Sequence, residues 1–126
     1  MTHASTSGSR VLAEELYDAA IERMAEGNLR AAIEGFRASL AADAGFRDAV
    51  HGLIHALKNT GELDEAIRVT RELIATDPDD VLAYTSLSIL YQHQGKITEA
   101  EAAGVRAKLL GWKQQLREGN EGGGQG

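Results

Sequence analysis

In this 126-residue chain, the residues that most resemble a metal-binding or catalytic site are two histidines one helical turn apart. His51 and His55 stand at i and i+4, which places both imidazoles on one helix face with the spacing of zinc ligands. His93 is a candidate third ligand. However, His51 is not followed by the glutamate that a His-Glu-x-x-His metalloprotease uses as its base, and no acidic ligand is evident. We therefore expect no metal or other cofactor, and we keep a histidine-based metal site only as a remote alternative.

Several classes of function conflict with the sequence. It contains no Gly-x-Ser-x-Gly elbow and no glycine-rich phosphate loop, so we expect no enzyme activity. The net charge of −6 argues against a nucleic-acid partner, which requires a basic face. No window approaches the roughly 20 apolar residues of a membrane span, and the first residues lack the apolar run of a secretory signal. We expect a cytoplasmic protein that contacts neither membrane nor nucleic acid.

A repeat positions the residues that remain as binding candidates. Glycines recur at an interval of 34 residues, and two apolar positions keep the same interval, as follows: Gly27, Gly61, Gly95; Leu29, Leu63, Ile97; Ala32, Ala66, Ala100. A fixed period of this length is typical of helical repeat arrays, in which each unit buries its apolar face only by stacking on its neighbours. The alanines are expected where the two helices of a unit cross closely.

The apolar periodicity predicts six helices in three pairs. We expect them at about residues 10–26, 29–42, 47–59, from 63 to the Asp77-Pro78-Asp79 stop, 80–94 and 98–118. Asp79 is predicted to cap the fifth helix, and Thr98 with Glu101 has the spacing of a capping box at the sixth. The sixth element is one helix, or two joined at Gly111, that closes the array.

Domain organisation follows from these helices. The repeats are expected at about residues 13–46, 47–80 and 81–114, within an array over residues 10–118 that includes the cap. Residues 1–9 and 119–126 are predicted to be disordered, since one is rich in serine and threonine and the other in glycine. Trp112 is interpreted as a packing anchor of the cap. The small residues Ala100, Ala103, Gly104 and Ala107 form a face over which another helix could pass closely.

These residues resemble the tetratricopeptide repeat family, from about residue 13 to residue 114. The motif positions include Ala32 with Phe36 in the first unit, Ala66 with Pro78 in the second, and Tyr84, Leu87, Tyr91 and Ala100 in the third. The third unit departs most, because Gly104 and Trp112 replace a large residue and the closing proline. The resemblance implies an all-α fold of three tandem helix-turn-helix repeats in a right-handed superhelical solenoid with a C-terminal capping helix. It further implies a short stand-alone bacterial protein of this family.

The resemblance also implies a binding groove lined by the first helix of each unit. The candidate residues on those helices are Tyr17, Ile21, Met24, Asp48, His51, His55, Lys58, Asn59, Leu82, Thr85, Ile89, Gln92 and His93. Such a groove suits an extended peptide or a partner helix, so we expect a protein–protein adaptor. The acidic residues Glu14, Asp18 and Asp48 favour basic or neutral segments. The alternative for Tyr17, Ile21 and Met24 is that they belong to the core.

One specialised function of the family is excluded by the residues present. Its chaperone-binding members hold a terminal carboxylate with lysine, asparagine and arginine side chains, but the matching positions here are Tyr17, Ile21, Gly52, Leu82 and Ser86. A second general function stays open: a self-assembling module, or homo-oligomer, that associates through its terminal helices or through the small-residue face around Gly104.

Overall fold

The computed structural model describes the backbone of residues 2–123 and the side chains of residues 9–119. Six α-helices and no strand make up that part of the chain. They are α1 (Thr2–Ala25), α2 (Leu29–Ala42), α3 (Arg47–Asn59), α4 (Leu63–Thr76), α5 (Val81–His93) and α6 (Ile97–Gly123). The prediction of an all-α chain built from three helix pairs is confirmed. Over the residues described, none of the helices combines the length and apolar character that a membrane crossing requires.

The three repeat glycines end α1, α3 and α5 in the same way. Gly27, Gly61 and Gly95 have φ angles of 81°, 84° and 76°, the left-handed region that a side chain disfavours. After each one, the next amide donates to the carbonyl five residues back, at 2.9 Å in all three turns. This is the Schellman pattern, which satisfies the last carbonyls of a helix and turns the chain. The interval of 34 residues therefore corresponds to three copies of one backbone turn.

Two helix starts differ from the prediction. Asp80, and not Asp79, caps α5, because its carboxylate accepts the amide of Ala83 at 3.0 Å. The turn after Pro78 needs one more residue than expected, and the Asp80 amide closes it on the Asp77 carbonyl at 3.2 Å. The capping box proposed at Thr98 is also wrong, because α6 already begins at Ile97.

Both terminal helices extend further than the sequence indicates. The backbone of α1 begins at Thr2 and that of α6 continues to Gly123, where disorder was expected over residues 1–9 and 119–126. Neither segment contains proline, so a helix that is already nucleated on a packed core can propagate through them. Gly111 lies inside α6, which is one helix. The expected disorder at residue 1 and residues 124–126 lies outside the described residues.

The chain divides into two compact units between Val69 and Thr70. In the first unit, α1 packs on α2 and contacts α3, and α2 packs on α3. Its core is built on Phe36, Ile33 and Leu57, with alanines at the helix crossings. In the second unit, α5 packs on α6 around Leu90, which is fully buried.

The small-residue face of α6 is used inside the second unit. Ala100 and Ala103 are buried, and the Ser88 hydroxyl on α5 donates to the Ala100 carbonyl at 2.8 Å. A Cβ added at Gly104 would meet the Ser88 Oγ at 3.3 Å. The helix that passes closely over this face is therefore α5. The idea that a second copy of the chain docks there is wrong, since the face is already covered.

Candidate peptide-binding site

In the first unit, Tyr17 stands at the edge of the core. Its ring lies 5.8 Å from that of Phe36 and 5.3 Å from that of Phe46, centroid to centroid, the second in an edge-on arrangement. The residue remains half-buried. Tyr17 therefore combines both sequence interpretations, because its ring supports the core while part of the side chain stays accessible.

The Tyr17 hydroxyl on α1 is affected by the charge of a residue on α3. Burial raises the pKa of the Tyr17 hydroxyl above its ordinary value of 10.0, and the carboxylates of Asp48 and Asp18 raise that pKa further. Asp48 lies on α3 and Tyr17 on α1, so two predicted residues from different helices act on one another. A cation placed beside the hydroxyl would be attracted by both carboxylates.

The other α1 candidates are accessible as well. Ile21 is 39% exposed and Met24 is half-buried, so neither is a fully enclosed core residue. Exposed apolar side chains next to carboxylates make a surface that can hold a peptide bearing apolar and basic residues.

The α3 candidates form the polar part of this surface. Asp48, His55 and Asn59 are exposed, whereas His51 and Lys58 are half-buried. Although His55 as a whole is exposed, desolvation of the part of its side chain that the protein covers lowers its pKa below the ordinary 6.5, and the charge on Lys58 lowers the pKa further. His55 is therefore mainly neutral at physiological pH, and its ring then offers one hydrogen-bond donor and one acceptor.

The metal alternative gains no support from the structure. Over the residues whose side chains are described, no three or more His, Cys, Asp or Glu side chains are grouped so that they could hold a metal ion.

In the second unit, the candidates lie along one side of α5. Leu82 is 54% exposed, Gln92 and His93 are exposed, and Thr85 and Ile89 are half-buried. The Thr85 hydroxyl donates to the Val81 carbonyl at 3.1 Å, so its own helix uses this donor. The accessible apolar residues of this side are Leu82 and Ile89.

Gly52 gives a physical reason for the missing carboxylate clamp. A Cβ at this position would lie 2.5 Å from Cε1 of Phe36, because α3 approaches the Phe36 ring that closely. An asparagine at residue 52 therefore cannot be accommodated without moving the core.

Two features escaped the sequence analysis. One is a pocket of about 470 Å³ in the second unit, formed by the last turns of α4 together with α5 and α6. The other is a row of exposed apolar residues on α6: Val105, Leu109, Trp112 and Leu116. Trp112 is 57% exposed, so its interpretation as a packing anchor is wrong. The sequence shows the spacing of this row. It does not show that no element of the described chain covers the row.

Three helix pairs, each with a glycine turn between its two helices at a constant interval, define a helical repeat protein. A family profile sharpens this assignment. The profile described as Tetratricopeptide repeat matches residues 23–88, just over half of the 126 residues. The chain belongs to the tetratricopeptide repeat family.

Comparisons with solved structures agree with this fold, whereas a comparison with curated sequences gives no match. Among solved structures, MamA superposes with a TM-score of 0.78 at 25% identity, over 82% of this chain and 61% of the MamA chain. This protein thus corresponds to less than two thirds of MamA's length.

Two further structures are complexes with peptides. The second repeat domain of Spaghetti (RPAP3), bound to an HSP90 peptide, gives a TM-score of 0.77 at 20% identity, covering 85% of this chain and 98% of that one. The Yersinia enterocolitica chaperone SycD, in complex with a peptide of the translocator YopD, gives 0.72 at 20% identity, covering 86% of each chain. At these identities the likeness concerns the fold alone.

Proposed function

We propose that this protein is a non-enzymatic interaction module that holds a basic or neutral segment of another protein against α1 and α3, the first helices of the repeats in its first unit. The observation that carries the proposal is an accessible surface on α1 and α3 that is both apolar and acidic: it comprises the half-buried Tyr17, the exposed Ile21, and the exposed carboxylates of Asp18 and Asp48. Carboxylates from two helices act on one partly accessible tyrosine hydroxyl. Ile21 supplies apolar area beside them.

In the second unit, the apolar side of α5 forms a surface of its own that suits a peptide. Leu82 and Ile89 are an aliphatic pair seven residues apart, so they lie on one side of the helix, two turns from one another. Aliphatic anchors combined with a few polar groups are the usual content of a groove that accepts a peptide or a helix. Peptide complexes of RPAP3 and SycD, which share the fold, support a peptide as the ligand here.

The test uses two short amphipathic peptides of identical apolar pattern, one bearing lysines and one bearing glutamates. We expect the lysine peptide to bind more tightly, and the Asp48→Asn variant to weaken it about threefold, as loss of one rim charge does. Glu34→Gln is the matched control, since it removes an exposed carboxylate from α2, which carries no candidate residue. Equal binding of the two peptides, or equal effects of the two variants, contradicts the proposal.

A second candidate function is self-association through the terminal helices. Four exposed apolar residues of α6 stand at i, i+4, i+7 and i+11, so they form one stripe along the helix: Val105, Leu109, Trp112 and Leu116. Residues 105–117 carry four basic residues and no acidic one. By contrast, α1 exposes a set of acidic residues: Glu14, Glu15, Asp18 and Glu22. The α1 helix of a second copy therefore complements α6 in charge.

Sedimentation velocity over a wide concentration range tests this second candidate. We expect an association that weakens with added salt and is lost in Leu116→Glu, which interrupts the stripe at its most exposed residue. A monomer at every concentration removes self-association and leaves peptide binding untouched.

A further inference from the structure

The pocket of the second unit lies on the opposite side of α5 from the proposed binding residues. Tyr84, Leu87 and Tyr91 line the pocket. Each stands two residues after one of Leu82, Thr85 and Ile89, which is a rotation of about 200° around a helix. One helix therefore presents two separate surfaces, and the pocket is not part of the surface that contains Leu82, Thr85 and Ile89.

The pocket is an apolar trough with charged residues at its edges. Leu87 and Tyr91, both largely buried, line it from α5, while Ile74 from α4 and the alanines Ala102 and Ala103 from α6 also line it. Its volume of about 470 Å³ lies in the range of about 300–1,000 Å³ that ligand pockets occupy.

The preceding repeat provides an internal comparison, because each lining residue has a counterpart 34 residues earlier. Ala102 and Ala103 correspond to Arg68 and Val69, so a long and a branched side chain are both replaced by alanine. The volume on α6 that Arg68 and Val69 would occupy is left open. The side chains that line the trough on α6 thus differ in size from their counterparts in the preceding repeat.

The charged residues of the two registers can be compared in the same way. In the first unit, the Glu65 carboxylate forms ion pairs with Arg37 at 3.3 Å and with Arg68 at 2.6 Å. These three residues make an ion-pair cluster between α2 and α4. The counterparts of Arg37 and Glu65 in the second unit are Arg71 and Glu99.

Within the described residues, each of the two arginines of the pocket contacts a tyrosine and not a carboxylate, so its positive charge is not neutralised by an ion pair. The Arg71 Nη1 donates to the Tyr91 hydroxyl at 3.1 Å. The Arg106 guanidinium carbon lies 5.9 Å from the centroid of the Tyr84 ring, and this residue replaces Glu72 of the earlier register. Neither arginine makes an ion pair with any carboxylate among the described side chains. The pocket lining therefore carries two positive charges and the single negative charge of Glu99, against two of each sign one repeat earlier.

We propose that this pocket binds an acidic segment of another protein, which buries one large apolar side chain against Leu87 and Tyr91 and directs a carboxylate to Arg106. Apolar surface supplies the anchor, and the excess guanidinium charge selects the sign of the neighbouring residue. The site goes beyond the proposed function, because it uses the other side of α5 and the opposite ligand charge.

The experiment uses fluorescein-labelled peptides with a central phenylalanine or leucine and glutamates three and four residues away. The matched peptides carry glutamine in place of glutamate, and binding is measured by fluorescence anisotropy with the full chain. We expect the glutamate peptides to bind at least tenfold more tightly than the glutamine peptides, and the difference to shrink with added salt.

Two variants copy the preceding repeat into the pocket. Ala102→Arg combined with Ala103→Val fills the trough and is expected to reduce glutamate-peptide affinity at least tenfold. Arg106→Glu leaves the trough open, and it is expected to remove the preference for glutamate over glutamine. Ile89→Ala, on the other side of α5, is the control that should leave this binding unchanged. Thermal melting reports whether each variant is folded.

Four results would overturn the proposal: no saturable binding by any peptide of the set, equal affinity for glutamate and glutamine peptides, full affinity in the filled variant, or loss of affinity in Ile89→Ala. Should the filled variant not fold, Arg106→Glu decides the matter alone, because an exposed side chain on α6 can be exchanged without disturbing the core. Binding of the lysine peptide described earlier is expected to be normal in both pocket variants, so the two proposals fail or succeed separately.

Discussion

Replacing Gly52 with alanine tests how closely α3 approaches the core of the first unit. Inside a helix, glycine is about 1 kcal/mol less favourable than alanine, so helix propensity alone predicts that the variant is more stable. The environment of Gly52 opposes this gain. A Cβ there would lie 2.5 Å from Cε1 and 2.7 Å from Cζ of Phe36, where ordinary contact begins at 3.4 Å.

The size of the destabilisation depends on how far the Phe36 ring or α3 can shift to relieve the overlap. The overlap of 3.4 Å minus 2.5 Å requires the ring or α3 to shift by 0.9 Å. Phe36 is fully buried, and the Tyr17 ring packs beside it, so the ring has little room to retreat. Overpacking a core costs about 1–3 kcal/mol, and an overlap this large belongs to the upper part of that range. After the gain in propensity, we expect a net loss of about 1–2 kcal/mol.

The free energy of unfolding from urea titrations measures this loss directly. Gly111→Ala is the control, since no atom lies within 4 Å of a Cβ added there, and it should gain about 1 kcal/mol. The variants are expected to change stability in opposite directions, and melting temperatures should follow. If Gly52→Ala were as stabilising as Gly111→Ala, the close approach of α3 to Phe36 would be refuted.

Three further predictions follow from individual contacts. Ser39→Ala should lower the free energy of unfolding by about 1 kcal/mol, because the buried hydroxyl donates to the Ala13 carbonyl at 2.6 Å; unchanged stability in urea contradicts this. Asp43→Asn should destabilise the protein at neutral pH but not in acid, as denaturation at several pH values would show. The hydrogen bond from Arg10 lowers the pKa of Asp43 below 3.8, so its contribution is complete above pH 3.8 and is lost as the pH falls through the lower folded pKa. Trp112, the sole tryptophan, is 57% exposed, so iodide should quench its fluorescence efficiently; a protected fluorophore in the monomer would contradict this.

Much of the fold could be predicted because the turns demand one residue type. Gly27, Gly61 and Gly95 take φ angles that other residues disfavour, so each had to be a helix end. With the ends given, the apolar periodicity predicted α2 and α3 to the residue, as Leu29–Ala42 and Arg47–Asn59. The cap of α5 was missed by one position because Asp79 and Asp80 are chemically alike. Only the geometry of the turn after Pro78 distinguishes them.

The candidate site was less accessible to sequence reasoning. Spacing predicts which residues share a side of a helix, but it does not predict which carboxylate from another helix acts on a given hydroxyl. The effect of Asp48 on Tyr17 emerges only from packing. Trp112 shows the complementary difficulty. An apolar residue on a helical stripe has the same pattern whether or not a neighbouring element covers it, and here the described chain does not cover it.

The pocket of the second unit explains why pattern analysis overlooks some sites in repeat proteins. Arginine and alanine are both strong helix formers, so the exchange of Arg68 for Ala102 leaves helix propensity almost unchanged. Its consequence is volume, which appears only when α4, α5 and α6 are packed together. Positions that agree between repeats maintain the shared turns and crossings, and these are the positions a repeat search weights. Positions that differ can open space or reverse a charge at no cost to the helices, as Arg106 does in place of Glu72. Comparing one repeat with the next, residue by residue, is therefore the way to find a binding site that the shared pattern does not contain.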